Sequence, residues 1–324
     1  MITRLQRLAA GLSAAAALWT APAAGAQPVV RIISGFPPGG GVDVVARLLA
    51  DQLNKQGGAT YVVENKTGAG GAIAVQSMLT APADGTALLV APDSNVVIYP
   101  HTVASPGFDA IKDLAPITTL ATYDLAFSVR GADAQIKDFT SFISAAKQDA
   151  KRATFASPAA GSLQHFYGLS VGKAAGLELL HVAYRGVAPA VTDAIGGIVG
   201  SLVTPVGPVI QHHEAGALKI LATSGAQRGH KTPNVPTFKE LGYPQLIARG
   251  WFGLFAPSQT PPQTLQRIAR MVETAMKNPD FQTKLTALDM DAHWVPAAEF
   301  KAQVEAENRK WATAVQEAGF RADK

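Results

Sequence analysis

The stretch Val29-Val-Arg-Ile-Ile-Ser-Gly-Phe-Pro-Pro-Gly-Gly-Gly-Val-Asp43 decides the fold. Val29–Ser34 is a short apolar run of strand length, rich in β-branched residues, and Pro37 and Pro38 with three glycines end it. From Val42 the apolar residues return at helical spacing, predicting an amphipathic helix over 42–56. A strand that enters a helix through a glycine turn begins a β-α-β unit. The following residues supply the rest: a strand over 60–64, a Gly-rich turn at 67–71 opening a helix to about residue 79, and a strand over 87–91. That alternation predicts an α/β fold with a parallel sheet covered on both faces.

The cycle then restarts, with helices predicted over 137–149, 162–174, 188–195 and 208–215 and strands over 153–156, 179–183, 201–204 and 219–223. Two such units predict two α/β lobes. An extended segment over 116–129 separates them, and a second over 251–256 follows the Pro-rich stretch 233–244. Helices over 262–277 and 297–318, charged on one face, complete the chain. If this tail packs on the first lobe, the chain crosses between lobes twice and the crossings form a hinge beside a ligand cleft. The expected division is residues 27–125 with 250–324 for lobe 1 and 126–249 for lobe 2.

Composition narrows the function. The 324 residues carry 28 Lys and Arg, 24 Asp and Glu, 7 His and no Cys. The absence of Cys excludes disulfide frameworks, thiolate metal sites and a cysteine nucleophile. Arg4 and Arg7, the apolar run 8–19 and Ala24-Gly25-Ala26 predict a signal peptide over 1–26, cleaved after Ala26 for export to the periplasm. Its removal takes two Arg and no acid, lowering the formal charge from +4 to +2, too little to recommend a nucleic-acid partner. The uncharged stretch 194–213 is broken by Gly196, Gly197, Gly200, Pro205, Gly207 and Pro208 and predicts a buried strand with flanking turns, not a membrane span.

Two loops are candidates for binding. Phe36, Pro38, Gly39, Gly40 and Gly41 lie where a strand feeds a helix N-terminus, whose free N–H groups and dipole favour an anion. Val44 stands where a dinucleotide fingerprint needs glycine, and no Walker lysine follows. Ser157, Ala160, Gly161 and Ser162 occupy the equivalent turn of the second unit, with Ser162 placed to cap the next helix. Ser94 and Pro205 close strands of the two lobes at their carboxyl ends, the usual ligand side of open α/β sheets. No catalytic group, metal site or cofactor is predicted. There is no G-x-S-x-G elbow, Ser162 and His165 have no evident acid, and His212-His213-Glu214 diverges around a helix. His181 reads as a structural strand residue.

The ordered motifs resemble the Bug-type periplasmic substrate-binding proteins of tripartite tricarboxylate transporters. They are Phe36-x-x-Gly-Gly-x-x-Asp43 with Ala46-Arg47, Val62-Val-Glu-Asn-Lys-Thr-Gly-Ala-Gly-Gly71, Pro82-Ala-Asp-Gly-Thr86, Ala160-Gly-Ser-Leu-Gln-His165, His181-Val-Ala-Tyr-Arg-Gly186, Pro233-Asn-Val-Pro-Thr237 and Trp251-Phe-Gly-Leu-Phe-Ala-Pro257. The resemblance implies a two-lobed periplasmic binding fold, type II-like, closing over a small mono-, di- or tricarboxylate or an amino acid. It implies no enzyme activity, no cofactor, monomeric action and delivery to membrane permease subunits. It places the ligand between residues 36–41 and 157–162, with Asp43, His165 and Tyr184 in support. The chain departs from the pattern at Pro158, Ala160 and Ala183. Two rival functions stay open: an exported serine-type hydrolase using Ser162 or another nucleophile, and a sensor feeding a membrane kinase.

Overall fold

The computed structural model describes residues 27–321; the expected signal peptide lies outside the described residues. In chain order the elements are β1 (Val29–Ser34), α1 (Gly41–Gln56), β2 (Thr60–Asn65), α2 (Ala72–Ser77), β3 (Ala87–Pro92), a wide helical turn (Ser94–Ile98) with two single turns after it, and the long β4 (Leu114–Arg130). The second lobe follows with α3 (Phe139–Gln148), β5 (Thr154–Ser157), α4 (Leu163–Ala175), β6 (Leu180–Ala183), α5 (Val187–Gly196), β7 (Ser201–Pro205), α6 (Ile210–Glu214) and β8 (Leu218–Thr223). The chain returns through β9 (Arg249–Pro257), α7 (Pro262–Met276), α8 (Pro279–Thr286), β10 (Met290–Ala292) and α9 (Ala297–Glu317).

Parallel pairing is confined to the strands joined by helices. β1 pairs parallel with β2 and β3, and β5 pairs parallel with β6 and β7. The sheets are mixed because β4 and β9 run antiparallel to their neighbours. β4 belongs to both lobes: Leu114–Asp124 pairs with β9, and from Leu125 onward the strand pairs with β7 and β8. One strand thus leaves lobe 1 and enters lobe 2 without a break.

The helices cover the sheets as their patterns dictate. α1 buries Val42, Val45, Ala46, Leu49, Ala50 and Leu53, the i, i+3, i+4 stripe of an amphipathic helix. In lobe 2, Phe127 packs edge to face with Phe139, Phe142 and Phe238 on one side of the sheet, while Ala126, Ala156, Ala190, Val191 and Leu202 fill the other. The stretch 194–213 holds the buried β7 with turns on either side. No helix among the described residues is long and apolar enough to cross a membrane.

Where the chain crosses back, Ser224 fastens the two crossings together. Its hydroxyl accepts the Leu125 N–H at 2.8 Å and donates to the Ala248 carbonyl at 2.6 Å. Its main-chain N–H donates to Leu125 at 2.9 Å, and its carbonyl accepts the Ala248 N–H at 3.0 Å. Ser224 is 1% exposed. The Ser224→Ala change leaves a buried donor and a buried acceptor unpaired, a loss of about 1–3 kcal/mol, to be read by chemical denaturation.

α8 and β10 are elements beyond the sequence expectation. α8 buries only Phe281 and Leu285 and β10 is three residues long, so neither carries a legible period. Both matter to position: Met290 pairs with Tyr123 of β4, and Met290 Cε lies 3.4 Å from where a Cβ on Gly41 would stand.

Candidate functional site

The first loop is held open by its own neighbours. Asp43 is 1% exposed, and its carboxylate accepts the Gly39 N–H at 2.9 Å, two bonds from Arg47 at 2.9 Å and one from Asn65 at 2.7 Å. Burial alone would raise this carboxyl, but the bonds from Arg47, Asn65 and Gly39 outweigh it and hold the group below the usual carboxylate range. Asn65 also donates to the Phe36 carbonyl at 2.9 Å. At the loop's base Gly35 meets Gly71 backbone to backbone: a Cβ on Gly35 would lie 2.8 Å from Gly71 Cα. Gly71 itself has φ 99° and packs on Asn95. The Gly-rich turn 67–71 is therefore the seat of the first loop.

The N-terminus of α1 is left uncapped. Gly40 caps it without any side-chain bond, and the Gly41, Val42 and Asp43 N–H groups have no protein acceptor among the described residues. These donors are what a helix N-terminus offers an anion. Pro38 and Gly39 are exposed, and Phe36, Gly40 and Gly41 partly so.

The second loop is bound more tightly. Ser162 caps α4 as the sequence predicts, accepting the His165 N–H at 3.3 Å, and its hydroxyl donates to the Ala159 carbonyl at 2.7 Å. The Ser157 hydroxyl reaches the same carbonyl at 3.0 Å. Gly161, at φ +71°, gives its N–H to His165 Nδ1 at 3.1 Å, so this amide is already engaged. The Ala160 and Ser162 N–H groups have no acceptor among the described residues, and Ala160 is exposed. Tyr184 and Gly186 donate their main-chain N–H groups to Ser157 and Pro158 at 3.0 and 2.9 Å. The Tyr184 hydroxyl donates to Asp193 at 2.7 Å, and burial together with that carboxylate pushes the phenol up to about 12.

Buried side chains connect the two loops. A Cβ on Gly41 would lie 3.2 Å from Phe252, Phe252 stacks on Tyr123 at 4.7 Å, and the side chain of Gln164 in the first turn of α4 acts on the Tyr123 hydroxyl. From the far side, Thr102 and Phe320 lie 3.2 and 3.3 Å from where a Cβ on Gly161 would stand. Pro205 is buried at the end of β7 opposite Leu125, beside Thr204, whose buried hydroxyl has no partner among the described residues. Ser94 is partly exposed after β3, its N–H taken by Asp93 at 2.5 Å.

The N–H donors on both loops, the shared aromatic bridge and the two crossings describe a two-lobed binder. The sequence pattern described as tripartite tricarboxylate transporter family receptor matches residues 45–320. The chain belongs to this receptor family. The receptor is 34% identical over 262 residues to a UPF0065 protein of Bordetella bronchiseptica, covering 80% of this chain and 77% of that one. Among solved structures it is similar to the periplasmic binding protein BugD, with a TM-score of 0.82 and 27% identity, covering 90% of this chain and 98% of the other. It is also similar to the R. palustris protein Rpa4515 solved with adipate, with a TM-score of 0.84 and 25% identity over the same shares of the two chains. It is a periplasmic solute-binding receptor with the two-lobed periplasmic binding fold, and not an enzyme.

Sequence reasoning gave no part in this candidate site to Asn65 or to Tyr123 and Gln164, and read His181 as structural. Asn65 and His181 lie inside quoted motifs, whereas Tyr123 and Gln164 meet only through tertiary packing. Asp93 too was given no part. This carboxyl is 3% exposed, accepts the Ser94 and Trp251 N–H groups, and has no basic side chain acting on it. Burial, with Glu307 nearby, pushes it up to about 8. The folded chain keeps this proton while the unfolded chain loses it from about pH 4, so stability falls as pH rises from about 4 to about 8. The Asp93→Asn variant lacks this slope. Its Tm is expected to exceed that of the wild type at pH 8 and to converge with it near pH 4, as melting curves across that range would record.

Proposed function

We propose that this receptor binds a small carboxylate between the loops 36–41 and 157–162 and delivers it to the membrane subunits of a tripartite permease. The observation that carries the reading is the uncapped N-terminus of α1, with three N–H donors free of protein acceptors among the described residues. Main-chain donors at a helix N-terminus suit a carboxylate and make no demand on the rest of the ligand. The adipate on Rpa4515 supports the same class. The ligand also meets the donors of Ala160 and Ser162, with Ser94 and Pro205 at the strand ends beside it.

In this reading residues 27–125 and 250–324 form one lobe and 126–249 the other, and the ligand favours closure because only the closed state satisfies both loops. The side chains of Asp43, Tyr184 and His165 brace the loops and do not touch the ligand. The chain works as a monomer after cleavage behind Ala26. The test is a thermal-shift screen of residues 27–324 against mono-, di- and tricarboxylates and amino acids. A ligand at 100 times its Kd adds about 2.7 kcal/mol, a rise of several degrees. A rise with one class supports the reading, and a flat response across the panel contradicts it.

A further inference from the structure

The second loop rests on two stacked imidazoles. His181 of β6 places Nε2 2.7 Å from Ser157 Oγ, and its ring stacks on His165 with centroids 3.8 Å apart and planes 18° from parallel. His165 in turn receives the Gly161 N–H at Nδ1. The first residue of the loop and its left-handed glycine are therefore held by adjacent rings of one stack. Phe155 lies 4.9 Å from His181, and Phe166 and Phe320 lie 5.2 and 4.7 Å from His165.

The hydrogen-bond network assigns the protons. A nitrogen that accepts an N–H carries no hydrogen, so His165 is the Nε2–H tautomer. The one hydroxyl proton of Ser157 goes to the Ala159 carbonyl, so His181 Nε2 donates to Ser157. Both rings are neutral: burial and the neighbouring His181 push His165 down to about 3, and burial takes His181 down to about 4. Neither ring touches a carboxylate among the described residues, and no third group completes a catalytic relay with Ser157.

We propose that His181 and His165 are positioning residues that hold the loop 157–162 in its ligand-competent shape, His181 through the Ser157 hydroxyl and His165 through the Gly161 amide. The proposal rests on the carboxylate reading of that loop. Were the Gly161 amide released, the peptide at this left-handed residue would be free to turn. The Ala160 and Ser162 donors on either side of it would then lose their fixed placement.

Amide side chains separate positioning from bulk. Asn places its oxygen near the Nδ1 position and Gln places its amide near the Nε2 position, so His165→Asn and His181→Gln keep the relevant bond while His165→Gln and His181→Asn misplace it. Calorimetric titration of wild type and the four variants with adipate, malate and benzoate reads affinity. Hydrogen exchange at the Gly161 amide, followed by NMR without ligand, reads the loop itself. Loss of a buried bond corresponds to about 10–100-fold. We expect that loss in His165→Gln and His181→Asn, recovery to within about threefold in the other pair, and rapid Gly161 exchange in His165→Gln alone of the His165 variants. Equal affinity in all five proteins overturns the proposal, as does equal weakening in all four variants at unchanged Tm. If the wild type binds none of the three probes, the carboxylate reading fails. The exchange pattern still decides the positioning roles, with slow Gly161 exchange in His165→Gln overturning them.

Discussion

Replacing Gly40 with valine is expected to lower carboxylate affinity at least about 100-fold while leaving the fold intact. Gly40 has φ −74°, a conformation open to any residue, and beyond its chain neighbours the only heavy atom among the described residues within 4 Å of an added Cβ is the Pro37 carbonyl oxygen at 3.5 Å. The protein therefore accommodates the side chain. The ligand does not, because the valine methyls stand before the N–H groups of Gly41, Val42 and Asp43. Losing two charge-assisted bonds, each worth about 1.5–3 kcal/mol, gives that magnitude. Paired titration and melting check it: lost affinity at an unchanged Tm is expected, and unchanged affinity removes the first loop from the site.

Phe127→Ala is expected to be the most damaging single truncation in lobe 2. The ring is fully buried on β4 and packs edge to face with Phe142 at 5.0 Å, Phe139 at 5.6 Å and Phe238 at 6.2 Å. Its removal leaves a cavity among rings that cannot collapse into it, at a cost of about 3–5 kcal/mol. The Leu180→Ala change on β6, at a side chain 67% exposed, should stay within about 0.5 kcal/mol. Denaturation of the two variants side by side measures the contrast.

The legible parts of the chain were those written in local period and local chemistry. β1, the glycine turn and α1 follow from residues 29–56 because strand period, turn residues and helical stripe occur in succession there. Ser162 could be placed as a cap because its role is settled within three residues. The mixed sheet was harder to read. β4 is a single apolar run, and nothing in it announces that its partners change between Asp124 and Leu125. The Ser224 clasp and the Phe252–Tyr123–Gln164 bridge join residues from distant segments and leave no periodic trace.

The candidate site divides in the same way. Both loops could be picked out as glycine-bearing strand-to-helix turns, but which of their N–H groups are open could not. That depends on Asp43 and Asn65 gathering the first loop and on His165 taking the Gly161 amide. His181 looked structural because its partner Ser157 lies 24 residues earlier, at the end of a neighbouring strand.

The most direct test of a carboxylate held by main-chain donors is calorimetric titration of residues 27–324 with matched pairs of acid and primary amide, beginning with adipate and adipamide and extending to succinate, malate and benzoate with their amides. The account predicts that at least one acid binds and that its amide, equal in shape but without charge, binds at least about 100-fold more weakly. Equal binding of acid and amide, or binding of neither across every pair, would contradict it.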